Sequence, residues 1–515
     1  FAALEGAKGD GGHLYLEAEQ LHKEAMSLLN SMIPVPQMRV KSDDLDAVID
    51  DMLLQGKIIN SNGNYYLVKT FAQEDETARS IARLLCRPIE RVDVQDLLTS
   101  VRRQLGVELS LRQTEAVHMV FRSDLSIITG SPGTGKTTVL KAVIEVFKLL
   151  KPSEKILLAA PTGRASRRMA ESTGVNNAST LHSLLGLFGE DGGFRKGEED
   201  MLDAGLIIVD ESSMMDMWLA RKFFSRIGPD TKVLLVGDAD QLQSVGAGDV
   251  FRELINCGLI PVTVLNEIFR QKKDSLIAYN AQKINNNDTS FFYGNDFTVC
   301  KCANQEEAAE HIRNIYLAQV KQYGVDRVQI LSPFRSTGAA SADQLNEAIR
   351  ELVNPQTEEA DLKVGSLYFR VGDKIMQNKN STKASNGDIG FIRSFRHDER
   401  DGMRISIQFS PTRVVEYSME EMGHIELAYA TTVHKAQGSE FDVVIFPLLR
   451  SHARMLTRSL VYTAITRAKA KVILVGQIGM LYMAVHKDDT GKRNTQLGRR
   501  ITLYVNTFKV QKRSA

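Results

Sequence analysis

The chain has 515 residues, 43% of them hydrophobic and 25% charged, with a net charge of +1. That length predicts several domains and that composition an ordinary soluble globular protein. No signal peptide and no apolar run near the roughly 18 residues of a membrane span is seen. The near-zero charge excludes a global basic field, so a nucleic-acid partner would have to meet local positive charge lining a groove. The chain opens on Phe1 rather than Met, which we read as a native N-terminal part missing before it.

Residues 1–104 are expected to form a helical, winged-helix region. The stretch from Ser42, SDDLDAVIDDMLLQG, places Leu45, Val48, Ile49, Met52 and Leu53 on one helical face. Asn62-Gly63 between two apolar runs then signals a hairpin. Such a unit serves either DNA contact or packing. The four cysteines, Cys86, Cys257, Cys300 and Cys302, contain no C-x2-C pair, so no zinc site is expected, and their scarcity fits a reducing cytoplasm.

From about residue 105 short apolar runs alternate with helical segments. SIITG at 126–130, ILLAAP at 156–161, LIIVDE at 206–211 and KVLLVGD at 232–238 predict a parallel sheet covered by helices. VQILSPF at 328–334, FDVVIFP at 441–447 and KVILVGQ at 471–477 predict a second. The expected α/β domains are 105–263, and 264–361 with 426–515. The β-rich, turn-divided stretch 362–425 between the latter parts reads as an inserted small barrel.

The strongest motif is GSPGTGKTT, where Gly130, Gly133, Gly135, Lys136, Thr137 and Thr138 follow a predicted strand and open a helix. Glycines turn backbone N–H groups toward phosphates, the helix N-terminus favours negative charge, Lys136 neutralises the β- and γ-phosphates, and Thr137 ligates Mg²⁺. LIIVDESSMMD delivers Asp210 and Glu211 at a strand end, Asp210 for Mg²⁺ and Glu211 to orient or deprotonate the attacking water. Alone, that pair could equally cap a helix. These two motifs establish only an ATPase. Gln241 in VGDADQLQSVGAGDVF is placed to sense the γ-phosphate. Arg270 in LNEIFRQ and Arg467 in VYTAITRAKAK lie beyond the first α/β domain, either as cations supplied across a cleft or as surface ion pairs.

The ordered set LRQTEAV, GSPGTGKTT, APTGRAS, STLHSLLG, VDESSMMD, GDADQLQSVGAGDVF, IFRQ, TTVHKAQGSEFD and YTAITRAKAK resembles the superfamily 1 helicases across residues 105–480. FRVGDKIMQNKN, NGDIG, the closing RNTQLGRRI and the opening GGHLYL resemble the RecD-like branch. The resemblance implies two tandem RecA-like P-loop motor domains with an SH3-like barrel insertion, acting 5′→3′ on single-stranded and forked duplex DNA in repair or recombination. ATP and Mg²⁺ are the implied cofactors. A monomer is expected, with a single-strand-binding protein or repair proteins as further partners and no membrane. Gln113 would contact adenine, Gly438 and Glu440 would lie near the nucleotide, and Arg467 would be the arginine finger. Pro161, Thr162, Thr180, His182, Asn386, Thr432, His434 and Lys435 would line the strand path. Phe334, after a strand, is our candidate for stacking on a base, or else a core residue. A translocase or regulatory subunit that needs partners for unwinding is the alternative function. Between two of the motifs, LFGEDGGFRKGEEDML (187–202) carries turn chemistry at Asp191-Gly192-Gly193 and is expected to form a hairpin. The resemblance makes that hairpin a pin at the fork; a connecting loop is the other reading.

Overall fold

Strands without a polar face must be covered on both sides, and the runs Leu125–Gly130 and Leu206–Val209 are buried at every residue. In the computed structural model they lie inside a six-stranded sheet. Its order is Val262–Leu265, Leu125–Gly130, Lys232–Gly237, Leu206–Val209, Ile156–Ala160, Ala178–Thr180, with every pairing parallel. The structure describes residues 1–31, 33–34, 38–88, 92–175, 177–188, 193–194, 200–267, 275–356, 361–398, 402–489 and 493–514.

A second parallel sheet follows the order Phe297–Lys301, Ala468–Gly476, Phe441–Leu448, Val328–Ser332, Ala430–Thr432. Helices cover both sheets, and in each sheet the strand ends that carry motifs are the C-terminal ends or the turns just beyond, where parallel α/β sheets bind ligands. Between Val328–Ser332 and Ala430–Thr432 the chain forms an antiparallel five-stranded unit ordered Arg413–Ser418, Gly402–Ser410, Ile389–Asp398, Lys374–Gln377, Ile425–Leu427. This unit is anchored by Lys374. Burial lowers its ammonium pKa to about 7. The same group donates to the carbonyls of Val325 and Val328 and to Gln329 Oε1 at 2.9, 3.0 and 3.1 Å, all in the second α/β domain.

The N-terminal region departs from expectation in one detail. Leu45 and Ile49 of the helix Ser42–Leu54 are buried in a small core with Leu4, Leu16, Leu21 and Leu67, but Val48 is 54% exposed. The buried stripe is narrower than the apolar pattern. The hairpin does form: Ile58–Ser61 pairs antiparallel with Asn64–Leu67, and Asn62 and Gly63 take φ values of 56° and 83°, the left-handed conformation such a turn demands. Tyr15–Glu17 adds a third strand.

The end of the chain is a correction. We expected residues 426–515 to stay with the second α/β domain. Instead the helix Leu497–Ser514 crosses back, and its Leu497, Ile501 and Val505 are buried in the core of the first domain and N-terminal region beside Tyr66, Ala78, Phe223 and Leu254. Its docking is polar too. Fully buried Glu74 accepts from Tyr66 Oη, Thr495 Oγ1, the Gln496 N–H and Arg500 Nε at 2.6–3.0 Å. Removing any one donor from such a buried carboxylate would leave part of its charge unpaired.

In the stretch 187–202, Leu187–Phe188 pairs antiparallel with Gly193–Phe194, the base of the expected hairpin, rooted by the buried Leu187. Residues 189–192 and 195–199 lie outside the described residues. Among the described residues no helix is long and apolar enough to cross a membrane, and the four cysteines are free thiols.

Candidate nucleotide site and strand path

A cleft of about 1280 Å³ lies between the two parallel sheets. The P-loop forms its floor. Gly133 and Gly135 take φ values of 86° and 82°, which L side chains rarely adopt, and Gly135 immediately precedes the helix Lys136–Leu150. The result is a helix N-terminus with its N–H groups open to an anion. Lys136 Nζ donates back to the Gly130 and Ser131 carbonyls, which holds the ammonium over the loop. Gly133, Gly135, Lys136, Thr137 and Thr138 all line the cleft. Gly130 instead ends the strand, where a Cβ would come within 2.4 Å of the Leu265 carbonyl oxygen.

Asp210 and Glu211 face the loop from the end of Leu206–Val209. Burial, and then the neighbouring Glu211 charge, push the Asp210 carboxyl up to about 6, against the Glu211 N–H that it accepts and the Lys136 charge. Such a group favours a cation beside it. Glu211 sits at φ 51°, a left-handed conformation that costs a non-glycine residue on the order of 1 kcal/mol. From the next strand, Asp238 accepts from Gln241 Nε2 at 3.1 Å, and both side chains line the cleft.

The second sheet supplies the opposite wall. Arg467 is 2% exposed; its Nη1 donates to the Ser439 carbonyl at 3.3 Å and stands 4.0 Å from Glu211 Oε1. Its Nε is buried with no hydrogen-bond partner, an orphan donor at the cleft wall. A glycine-turned anion cradle, a fixed ammonium and an orphan guanidinium N–H together suit a nucleoside triphosphate. Gln113 does not line this cleft. It closes a capping box with Ser110 and donates from Nε2 to the Thr134 carbonyl at 3.3 Å, behind the P-loop. Arg270 lies outside the described residues.

None of the residues expected on the strand path lines this cleft. Pro161 and Thr162 follow Ile156–Ala160, and Thr180 ends Ala178–Thr180, at one edge of the first sheet. Thr432 ends Ala430–Thr432, and Phe334 lies just past Val328–Ser332, at one edge of the second. Thr162 and Thr180 cap the helices that follow them, through Ala165 N–H and Ser183 N–H. His182 packs 5.9 Å from Trp218, and burial lowers its pKa, as it does that of His434. Lys435 pairs with Glu426, and Asn386 is exposed on the inserted unit. Phe334 is half-buried, edge-on to the buried His452 at 5.3 Å. Gly438, at φ 70°, lets the two domains meet closely, since a Cβ there would stand 2.8 Å from Thr162 Oγ1.

Family models match three parts of the chain: an AAA domain at residues 113–247, an ATP-dependent RecD-like DNA helicase SH3 domain at 345–409, and a UvrD-like helicase C-terminal domain at 427–475. An ATP-dependent RecD2 DNA helicase of Deinococcus radiodurans is 33% identical over 442 residues, covering 85% of this chain and 59% of that one. The chain is similar to the RecD-like helicases over most of its length. It thus spans about three fifths of the length of the Deinococcus relative. A RecBCD enzyme subunit RecD of Mycolicibacterium smegmatis is 29% identical over 418 residues, 73% of this chain and 72% of that one. Of the inserted antiparallel unit, Lys374–Gln377, Ile389–Asp398 and nearly all of Gly402–Ser410 fall in the SH3 match, while Arg413–Ser418 and Ile425–Leu427 lie beyond it.

Several contacts in the RecD-like chain escape any reading of motifs. Three arginines on the helix Gly163–Thr173 reach across the domain boundary. Arg164 Nη2 donates to the Glu440 carbonyl at 3.2 Å and stacks 4.8 Å over Phe441. Arg167 pairs with Asp388 of the SH3-like unit, which Arg413 also meets at 3.3 Å, and Arg168 meets Glu440 at 2.7 Å. Tyr462 Oη donates to Asp238 at 2.8 Å, Thr463 Oγ1 accepts from the Leu242 N–H at 2.9 Å, and Gln437 Nε2 donates to the Leu242 carbonyl at 3.1 Å. Only the run of GRASRR beside APTG could have drawn attention to the first group. Nothing local marks the second.

Proposed function

We propose that this RecD-like chain is an ATP-driven motor that moves 5′→3′ along single-stranded DNA and separates duplex DNA at a fork. The supporting observation is the cleft itself, where P-loop and acidic pair come from one sheet and Arg467 from the other. Hydrolysis in such a site depends on how closely the two domains approach, which is how a chemical cycle becomes a mechanical one.

When bound, ATP supplies the γ-phosphoryl group whose transfer to water drives each cycle. Thr137 and Asp210 would hold Mg²⁺, with the triphosphate seated on the N–H groups of Gly133 to Thr138 and on Lys136. Glu211 orients and deprotonates the attacking water. Gln241 reads the γ-phosphate and passes its state to the second domain through Asp238–Tyr462 and Leu242–Thr463. Arg467 neutralises charge that develops in the transition state. Along the edge lane, Thr162, Thr180, Asn386, Thr432 and Lys435 hold phosphates, with His182 and His434, neutral near pH 7 because burial lowers them, as hydrogen-bonding partners. Phe334 stacks on a base, and the segment 187–202 acts where the strands part. Four free thiols suit a reducing cytoplasm.

A second reading has its own motive. The Mycolicibacterium relative is named as an enzyme subunit, and the alternative is a chain that moves along DNA without unwinding it alone. Forks carrying only a 5′ or only a 3′ single-stranded tail decide between them. With ATP, the purified chain is expected to separate the 5′-tailed fork and leave the 3′-tailed fork paired. DNA-stimulated ATPase without separation of either fork would favour the subunit reading, and separation of the 3′-tailed fork alone would reverse the polarity.

A further inference from the structure

GGHLYL and RNTQLGRRI lie at opposite ends of the sequence, and neither has a part in the chemistry above. In space they meet on the loop that carries Gln241. Arg493 Nη1 donates to Ser244 Oγ at 3.2 Å and to the carbonyls of Gly246 and Gly248, each at 2.8 Å. Its guanidinium rests against Gly12, at φ 67°, where a Cβ would come within 2.5 Å of Nε. The Gly12 carbonyl accepts from the Gly248 N–H at 2.9 Å. Asn494 binds the same segment through its backbone: its N–H donates to His13 Nδ1 at 3.1 Å and its carbonyl accepts from the Leu14 N–H at 2.9 Å. The next two residues, Thr495 and Gln496, bind the buried Glu74.

The loop 241–248 is therefore held at both ends. At one end Gln241 and Leu242 touch Asp238, Thr463 and Gln437, which report on the nucleotide and the second domain. At the other, Ser244, Gly246 and Gly248 are fixed by Arg493 and Gly12. The same stretch is tied at Ala247, whose carbonyl accepts from the Met217 N–H at 3.0 Å. Gly246 and Gly248 lend the loop little stiffness of their own, so the position of Gln241 follows its anchors, and Arg493 with Gly12 supplies most of the side-chain hold at the far end. We infer that Arg493, seated on Gly12, is a positioning residue for the Gln241 loop and sets the rate of the hydrolytic step. Arg493 acts through the loop, so its loss changes how often Gln241 is correctly placed and not how well the triphosphate is held by the P-loop.

The inference rests on the motor reading above, and its test separates the two. ATP turnover is measured with and without oligo(dT) for wild type, Arg493→Ala, Gly12→Ala and the double variant. Gly12→Ala pushes the guanidinium aside without deleting it, also straining the left-handed backbone at that position, and serves if Arg493→Ala fails to fold. Each single variant is expected to lower kcat about tenfold, with KM for ATP within about twofold, because misplacement of a catalytic group by a fraction of an ångström has effects of that size. The double variant is expected to be no slower than Arg493→Ala, since both changes break one contact. A fall of less than about threefold, a KM that moves with kcat, or losses that add in the double variant would overturn the inference. If wild-type turnover ignores oligo(dT), the motor reading fails, while the variants still report on Arg493 through basal turnover.

Discussion

Lys136→Ala is expected to abolish ATP hydrolysis, with kcat falling at least about 100-fold, the scale seen when one preorganised transition-state contact is removed. Lys136 is the cation held directly over the phosphate cradle, tied to the Gly130 and Ser131 carbonyls. Without it the γ-phosphate meets a loop of N–H dipoles and a helix end, whose charge is partial. Triphosphate binding should weaken as well, because Lys136 contacts the ground state and the transition state alike. Steady-state ATPase with a nucleotide-binding assay checks both. Turnover within about tenfold of wild type would show that the cleft is not the hydrolytic site.

Arg467→Lys is expected to leave ATP binding largely intact and to slow hydrolysis strongly. An arginine finger is worth roughly 10³–10⁵ in rate in other phosphoryl-transfer systems, and a lysine keeps the charge while losing the planar fork. The geometry bears on how much is lost. Arg467 spends Nη1 on the Ser439 carbonyl and keeps Nε without a partner. A lysine ammonium cannot do both from one position. Single-turnover hydrolysis beside an equilibrium binding curve separates the two effects. Weakened binding with unchanged turnover would place Arg467 outside the transition-state contacts.

The nucleotide cleft was legible because its parts carry local signals. A P-loop needs glycines at fixed spacing after a strand, and Asp210 and Glu211 need a buried strand to deliver them. The alternation of apolar strands and helices announced two parallel sheets, and the turn-rich stretch between them announced the insertion. What stayed hidden depends on distant parts of the chain. Val48 shares an apolar face with Leu45 and Ile49, yet nothing packs over it. The helix Leu497–Ser514 shows ordinary amphipathic character, and no local pattern says that its apolar face is buried on the first domain. Arg168 reads as one more surface cation until Glu440 is found 2.7 Å away. Gln113 was expected at the adenine, and its bond to the Thr134 carbonyl depends on how the helix Leu111–Phe121 packs behind the P-loop.

Hydrolysis in the cleft is expected to be coupled to a DNA strand on the neighbouring edge lane. ATP turnover measured with and without single-stranded DNA of several sequences, across a salt series, tests it most directly. Strong stimulation by every sequence is expected, with an apparent DNA affinity that falls as salt rises, because phosphate contacts release counterions. Equal turnover with and without DNA would contradict it.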